Sequence, residues 1–171
     1  QSLLDYVEQI SWLLFLKSHE DQEDTRADEA EYAGQPYERV IDGFYRWSVW
    51  TGGRIEQAHS LSLEAQSALR TLQKNLVALE SSTKKDPQEI KNAHLALESG
   101  EQRVQIAAER VETEQHLQRD ALRPLIESSD EEDRHMSEAI LGGLTGKTLI
   151  RFLTDYLFPH LRELSGTEEK G

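Results

Sequence analysis

Leu3, Leu4, Val7, Ile10, Leu13 and Leu14 recur at steps of three and four, and Trp12 and Phe15 widen the stripe. The spacing predicts a helix whose broad apolar face places it at the centre of a core. Ser2 with Asp5 supplies a capping pair at its start. The helix continues to about Tyr32 through an acid run, Glu20 to Glu31, read as a solvated extension. Ala33-Gly34-Gln35-Pro36 then breaks it. Tyr37, Phe44, Tyr45, Trp47 and Trp50 follow with no clean period, which predicts an irregular segment near 37–53 pinned into the core by its rings.

From Arg54 the pattern becomes coiled-coil-like. Ala65, Leu69, Leu72, Leu76 and Leu79 alternate steps of four and three, and Ile90, Ala93, Leu97, Gly100, Val104, Ala107 and Val111 repeat the spacing. Asp86-Pro87-Gln88-Glu89 between them reads as an N-cap, a first-turn proline and a capping-box glutamate. A short turn forces two such helices antiparallel, and the second arm is expected to end near Pro124. Met136, Ala139, Ile140 and Leu141 mark a further helix stopped at Gly142-Gly143. Thr145 opens a last one, with Pro159 stopping or kinking it, Leu161 and Leu164 adding a turn, and a frayed polar tail from Ser165 to Gly171. The expected fold is all-α. A small helical bundle, residues 1–53 and 126–164, carries an inserted antiparallel hairpin at 54–125.

Charge sharpens that division. Of a net −13, residues 1–50 hold −7, residues 51–125 hold −1 and residues 126–171 hold −5. No Phe, Trp or Tyr lies between Trp50 and Phe152. The acidic total argues against a free-standing DNA binder, because it repels phosphate. With no cysteine, disulfides and thiolate chemistry are excluded. The longest apolar run, Trp12 to Leu16, falls far short of the roughly 20 residues of a membrane span. The expectation is a soluble intracellular protein, or a piece of one.

Sites for chemistry are scarce. Gly146-Lys147-Thr148 ends like a phosphate-binding loop, but Leu141 stands where the first glycine is needed and the lead-in is helical. Glu56-His59 and Glu132-His135 have the spacing of di-iron bundle ligands without the complementary glutamates. The acid run lacks the alternation and turn glycine of a calcium loop. No catalytic, cofactor-binding or metal residue is assigned.

Three ordered stretches carry a family resemblance. They are Leu4 to Lys17, ending Phe15-Leu16-Lys17 after Trp12; Asp28 through Tyr45-Arg46-Trp47-Ser48-Val49-Trp50; and Thr145-Gly146 through Phe158-Pro159-His160-Leu161. Together they resemble the N-terminal helical domain of the modification (DNA methyltransferase) subunit of type I restriction-modification systems. The resemblance implies a parent protein that methylates adenine N6 in DNA with S-adenosylmethionine. It also implies a DNA specificity subunit, a second modification subunit and a restriction subunit as partners, in a bacterial or archaeal cytoplasm. Neither Asn-Pro nor Gly-x-Gly occurs, so the methylation motifs are expected in a following domain and this part alone is expected to be inactive. The family usually has a short connection where this chain has residues 51–144. DNA is expected to be met only within the complex, with Lys84, Lys85, Lys147 and Arg151 as candidates for DNA or subunit contact. The alternative is a stand-alone module that dimerises through the hairpin.

Overall fold

The computed structural model describes residues 2–168, and among them there is no strand: the fold is all-α. Helix α1 (Leu3–Tyr32) starts where the sequence places it, Ser2 and Asp5 exchanging side chain–backbone hydrogen bonds of 2.8 and 3.3 Å. Residues 35–42 are irregular with a bend at 40–41, a 3-10 turn covers Gly43–Tyr45, and α2 is a five-residue helix, Trp47–Thr51. Thus part of the segment expected to be irregular is helical. Gly52, at φ +67°, ends α2 in a left-handed conformation that costs glycine little.

Helix α3 (Gly53–Glu80) and α4 (Pro87–Ala121) follow. The Gln88 N–H donates to the Asp86 carboxylate at 2.9 Å, with Pro87 at the first helical position. Helix α4 stops at Ala121, three residues before Pro124, which lies inside the separate helix α5 (Arg123–Ile126). Helix α6 (Glu131–Gly142) is capped by Asp130, and Gly143 closes it. In α7 (Gly146–Phe152) the Thr145 N–H donates to Thr148 Oγ1 at 3.1 Å.

Pro159 does not stop the last helix. A wide π turn, Leu153–Leu157, precedes it, with the Phe158 N–H bonded to the Leu153 carbonyl, and this accommodates the proline's missing donor. Helix α8 (Phe158–Glu168) then runs on through Ser165, so the expected fraying is absent as far as Glu168. The remainder of that expected tail lies outside the described residues.

Two compact units result. One holds the residues up to Gly53 and from Gln118 on; the other is Arg54–Leu117. The first unit's core joins Leu16 of α1 and Phe44, Val49 and Trp50 of the aromatic segment to Leu122, Met136, Ile140, Phe152 and Leu157. Trp50 packs on Phe152 at 5.5 Å and Tyr45 on His160 at 3.8 Å, nearly parallel. Residues about a hundred positions apart thus share one core.

In the second unit, residues of restricted access recur at alternating three and four steps: 58, 62, 65, 69, 72 and 76 on α3, and 93, 97, 100, 104, 107 and 111 on α4. Gly100 lies beneath Leu69 and Leu72, while His94 of α4 pairs with Glu80 of α3 at 3.3 Å. Those pairings run in opposite senses along the two helices, as antiparallel arms must. A Cβ at Gly100 would stand 2.9 Å from Leu72 Cδ1 and 3.3 Å from Leu69 Cδ1.

Gly100→Ala is expected to change stability by less than about 1 kcal/mol, because helix propensity offsets the crowding of movable leucine ends. Gly100→Ile has no such escape and is expected to cost about 1–3 kcal/mol in thermal melts followed by circular dichroism.

Candidate assembly surface

The acid run of α1 is not uniformly solvated. Leu13, Leu16, Glu20, Glu23 and Ala27 stand at steps of three and four on one face, which puts two carboxylates in line with the core leucines. Glu20 is 7% exposed and Glu23 1%. Glu20 accepts hydrogen bonds from Arg46 Nε at 3.0 Å, the Ser48 N–H at 2.7 Å and Ser48 Oγ at 2.6 Å. Ser48 is the second residue of α2, a helix with no side-chain cap from its own N-cap residue, so Glu20 caps it from α1. Glu23 accepts from the Val40 N–H at 2.7 Å and Tyr37 OH at 3.2 Å. Asp24 pairs with Arg39 and lies 3.5 Å from Arg46 Nη2. The expectation of a solvated extension is therefore corrected for Glu20, Glu23 and Asp24. The available signal was the continuation of the leucine face together with Arg39 and Arg46 in the next segment.

At the opposite end of α2, Gln118 Nε2 donates to the Val49 carbonyl at 2.9 Å in a buried setting. A helix this short has too few internal bonds to persist alone. Side chains from 28 residues upstream and 69 downstream hold both its ends.

The amino-terminal half of α1 departs from expectation in the opposite direction. The sequence places it at the centre of a core, yet Leu3 is 80% exposed, Leu4 78% and Leu14 66%, with Val7 and Ile10 more than half exposed. Among its described side chains Leu13 and Leu16 reach the core. An apolar face predicts burial, but among the described residues nothing covers it.

The motif residues divide accordingly. Leu16 and Trp50 are buried; Tyr45, Trp47, Phe158 and Pro159 are half-buried; Trp12, Phe15, Thr145 and Gly146 are exposed. Trp12 and Phe15 meet edge to face at 5.8 Å, and Phe15 stacks on His19 at 5.6 Å. A cleft of about 450 Å³ separates Trp12, Asp5 and Glu8 of α1 from Phe158, Leu161 and Arg162 of α8. Lys84 and Lys85 are exposed in the turn between α3 and α4, and Lys147 is exposed on α7. Arg151 is bound to Glu132 at 2.9 Å and lies 3.7 Å from Asp155, so two carboxylates compete with any phosphate for it. Glu132 faces Arg151, and among the described residues no three His, Cys, Asp or Glu side chains converge on a metal position. No helix among them is long and apolar enough to cross a membrane.

Burial perturbs three groups behind this surface. Tyr156 is held well above the ordinary phenol range by burial and by donating to Asp133 at 2.8 Å. Burial also raises Tyr45, with the charges of Glu163 and Asp133 adding to it. It lowers His160 below 6.5 against the pull of Glu163.

Glu20→Ala leaves the Ser48 N–H and the Arg46 charge without their partner. It is expected to cost about 3 kcal/mol in urea unfolding, and Glu20→Gln, which keeps an acceptor, less. For His160 the unfolded chain binds more protons than the folded one between the lowered folded value and 6.5. Stability contributed by burying His160 in its neutral form is therefore full above pH 6.5 and falls as pH drops through that window. His160→Phe is expected to remove this component from the difference between wild-type and variant unfolding curves.

The model of the HsdM N-terminal domain family matches residues 2–128. The matched range includes the first two motif stretches and the residues of α3 and α4, and stops before Thr145. No curated protein and no solved structure matches the chain. With roughly three-quarters of its residues matched, buried Leu16 and Trp50 among them, this chain belongs to the HsdM N-terminal domain family of type I restriction-modification methyltransferase subunits.

Proposed function

We propose that this chain is the non-catalytic N-terminal domain of a site-specific DNA (adenine-N6) methyltransferase subunit, and that its task is subunit assembly and closure around DNA. The observation that carries the reading is the uncovered apolar half of α1, on a chain of this family. Contiguous apolar surface of that extent marks a protein contact. S-adenosylmethionine chemistry belongs to the parent protein's other parts, and the specificity, second modification and restriction subunits are the partners. In this reading DNA is met in the assembled cytoplasmic complex, where other surfaces supply the basic groove that a chain of net charge −13 lacks.

The alternative, a stand-alone module dimerising through the seam of residues 65–111, gains little support. Leu69 and Leu72 pack over Gly100 of the same chain and are not free for a second one. The reading is tested in the complete methyltransferase complex carrying Val7→Asp with Leu14→Asp. Both positions are exposed, so the domain is expected to fold unchanged. Co-sedimentation of the modification and specificity subunits, and methylation of a target duplex, are expected to fall at least tenfold. Full assembly and full methylation by the variant would sink it.

A further inference from the structure

We infer that α1 docks an amphipathic helix of a partner protein, whose apolar stretch covers Leu3, Val7, Ile10 and Leu14 and whose basic stretch meets Asp21, Asp28 and Glu29. This inference rests on the assembly reading and names the chemistry of the partner.

The face of α1 turned away from Leu16, Glu20 and Glu23 has two halves. Over its first four turns, Leu3, Val7, Ile10 and Leu14 step by four, three and four, the spacing with which one helix receives the side chains of another. Leu4 and Phe15 broaden the strip, and every one of these side chains is exposed. Exposed apolar side chains at this spacing mark an interaction site.

Further along the same line come Asp21, Thr25 and Asp28, with Glu29 beside them, all exposed. Glu20 and Glu23, by contrast, turn inward to Arg46, Ser48 and Val40. The outward acids are left on an uninterrupted helix of 30 residues, about 45 Å long. One helix thus presents an apolar strip followed, past the exposed Lys17, by a predominantly negative one.

Charge decides among occupants. A second copy aligned in parallel sets acid against acid. Aligned antiparallel, it covers only the apolar halves and leaves both acidic halves unpaired. A lipid surface fares no better, since helices that lie on membranes carry lysine and arginine on the polar face. A partner helix with leucine-type residues at the same spacing and lysines or arginines beyond them meets both halves at once.

The probe is a synthetic 28-residue helical peptide with leucines at four-three-four spacing in one half and lysines in the other. Its control carries glutamate in place of every lysine. By calorimetry at 50 mM salt the lysine peptide is expected to bind the chain at least tenfold tighter than the control, with the gap closing at 0.5 M. Asp21→Asn with Asp28→Asn and Glu29→Gln is expected to erase the difference, and Val7→Asp with Leu14→Asp to abolish binding. Circular dichroism checks that each variant stays folded. Equal binding of the two peptides, or none by either, overturns the inference. So does a dimer of the chain alone that Val7→Asp with Leu14→Asp dissociates, because it assigns the strip to a second copy. If the complete complex fails to assemble with the apolar variant yet assembles normally with the three-position acid variant, the assembly reading stands and this inference falls.

Discussion

Helix α2 exists because two distant side chains hold it. Its five residues cannot stabilise a helix on their own, and they carry Trp47 and Trp50, which pack edge to face at 4.9 Å. Glu20 fixes the N-terminal end through Ser48, and Gln118 takes up the Val49 carbonyl. With both ends fixed, Trp50 meets Phe152 and its neighbours, and the amino- and carboxy-terminal parts of the chain close on one core. A buried carboxylate is costly unless fully bonded, and Glu20 meets that condition with three donors.

The same carboxylates divide α1 into two functional parts. On the inner face from Leu16 to Glu23 the helix is bound to the aromatic segment through Glu20 and Glu23, both buried. Before Leu13 it carries leucine, valine and isoleucine into the open. Rigidity in the second part benefits the first: a docking helix anchored at one end presents its strip with less conformational freedom to lose on binding. The 450 Å³ cleft beside Trp12 marks where that anchoring by the chain's own helices gives out.

Much was legible without coordinates. Helix starts at Ser2, Asp86 and Thr145 follow from local chemistry, because a cap involves only neighbouring residues. The heptad spacing of α3 and α4 exposed the two arms and their seam for the same reason. Three features were not legible. Glu20 and Glu23 continue the leucine face, but which donors meet them was not legible, since Arg46, Ser48 and Val40 lie outside the helical period. The π turn before Pro159, where a stop or a kink is expected, lets the helix run on past the proline, and no propensity scale anticipates it. The apolar stripe of α1 predicts burial but not what does the burying.

By itself, the sequence determined the all-α class, the caps, the seam of the two long helices and the family, all properties written in residues within a few turns of one another or in an ordered set of short motifs. Tertiary structure alone decided which acids are buried, how a five-residue helix survives and which face of α1 remains uncovered. Those outcomes depend on pairings across 14 to about a hundred residues. Hydrophobic periodicity states that a face prefers to leave water, and only three-dimensional packing shows whether the chain has anything to cover it with.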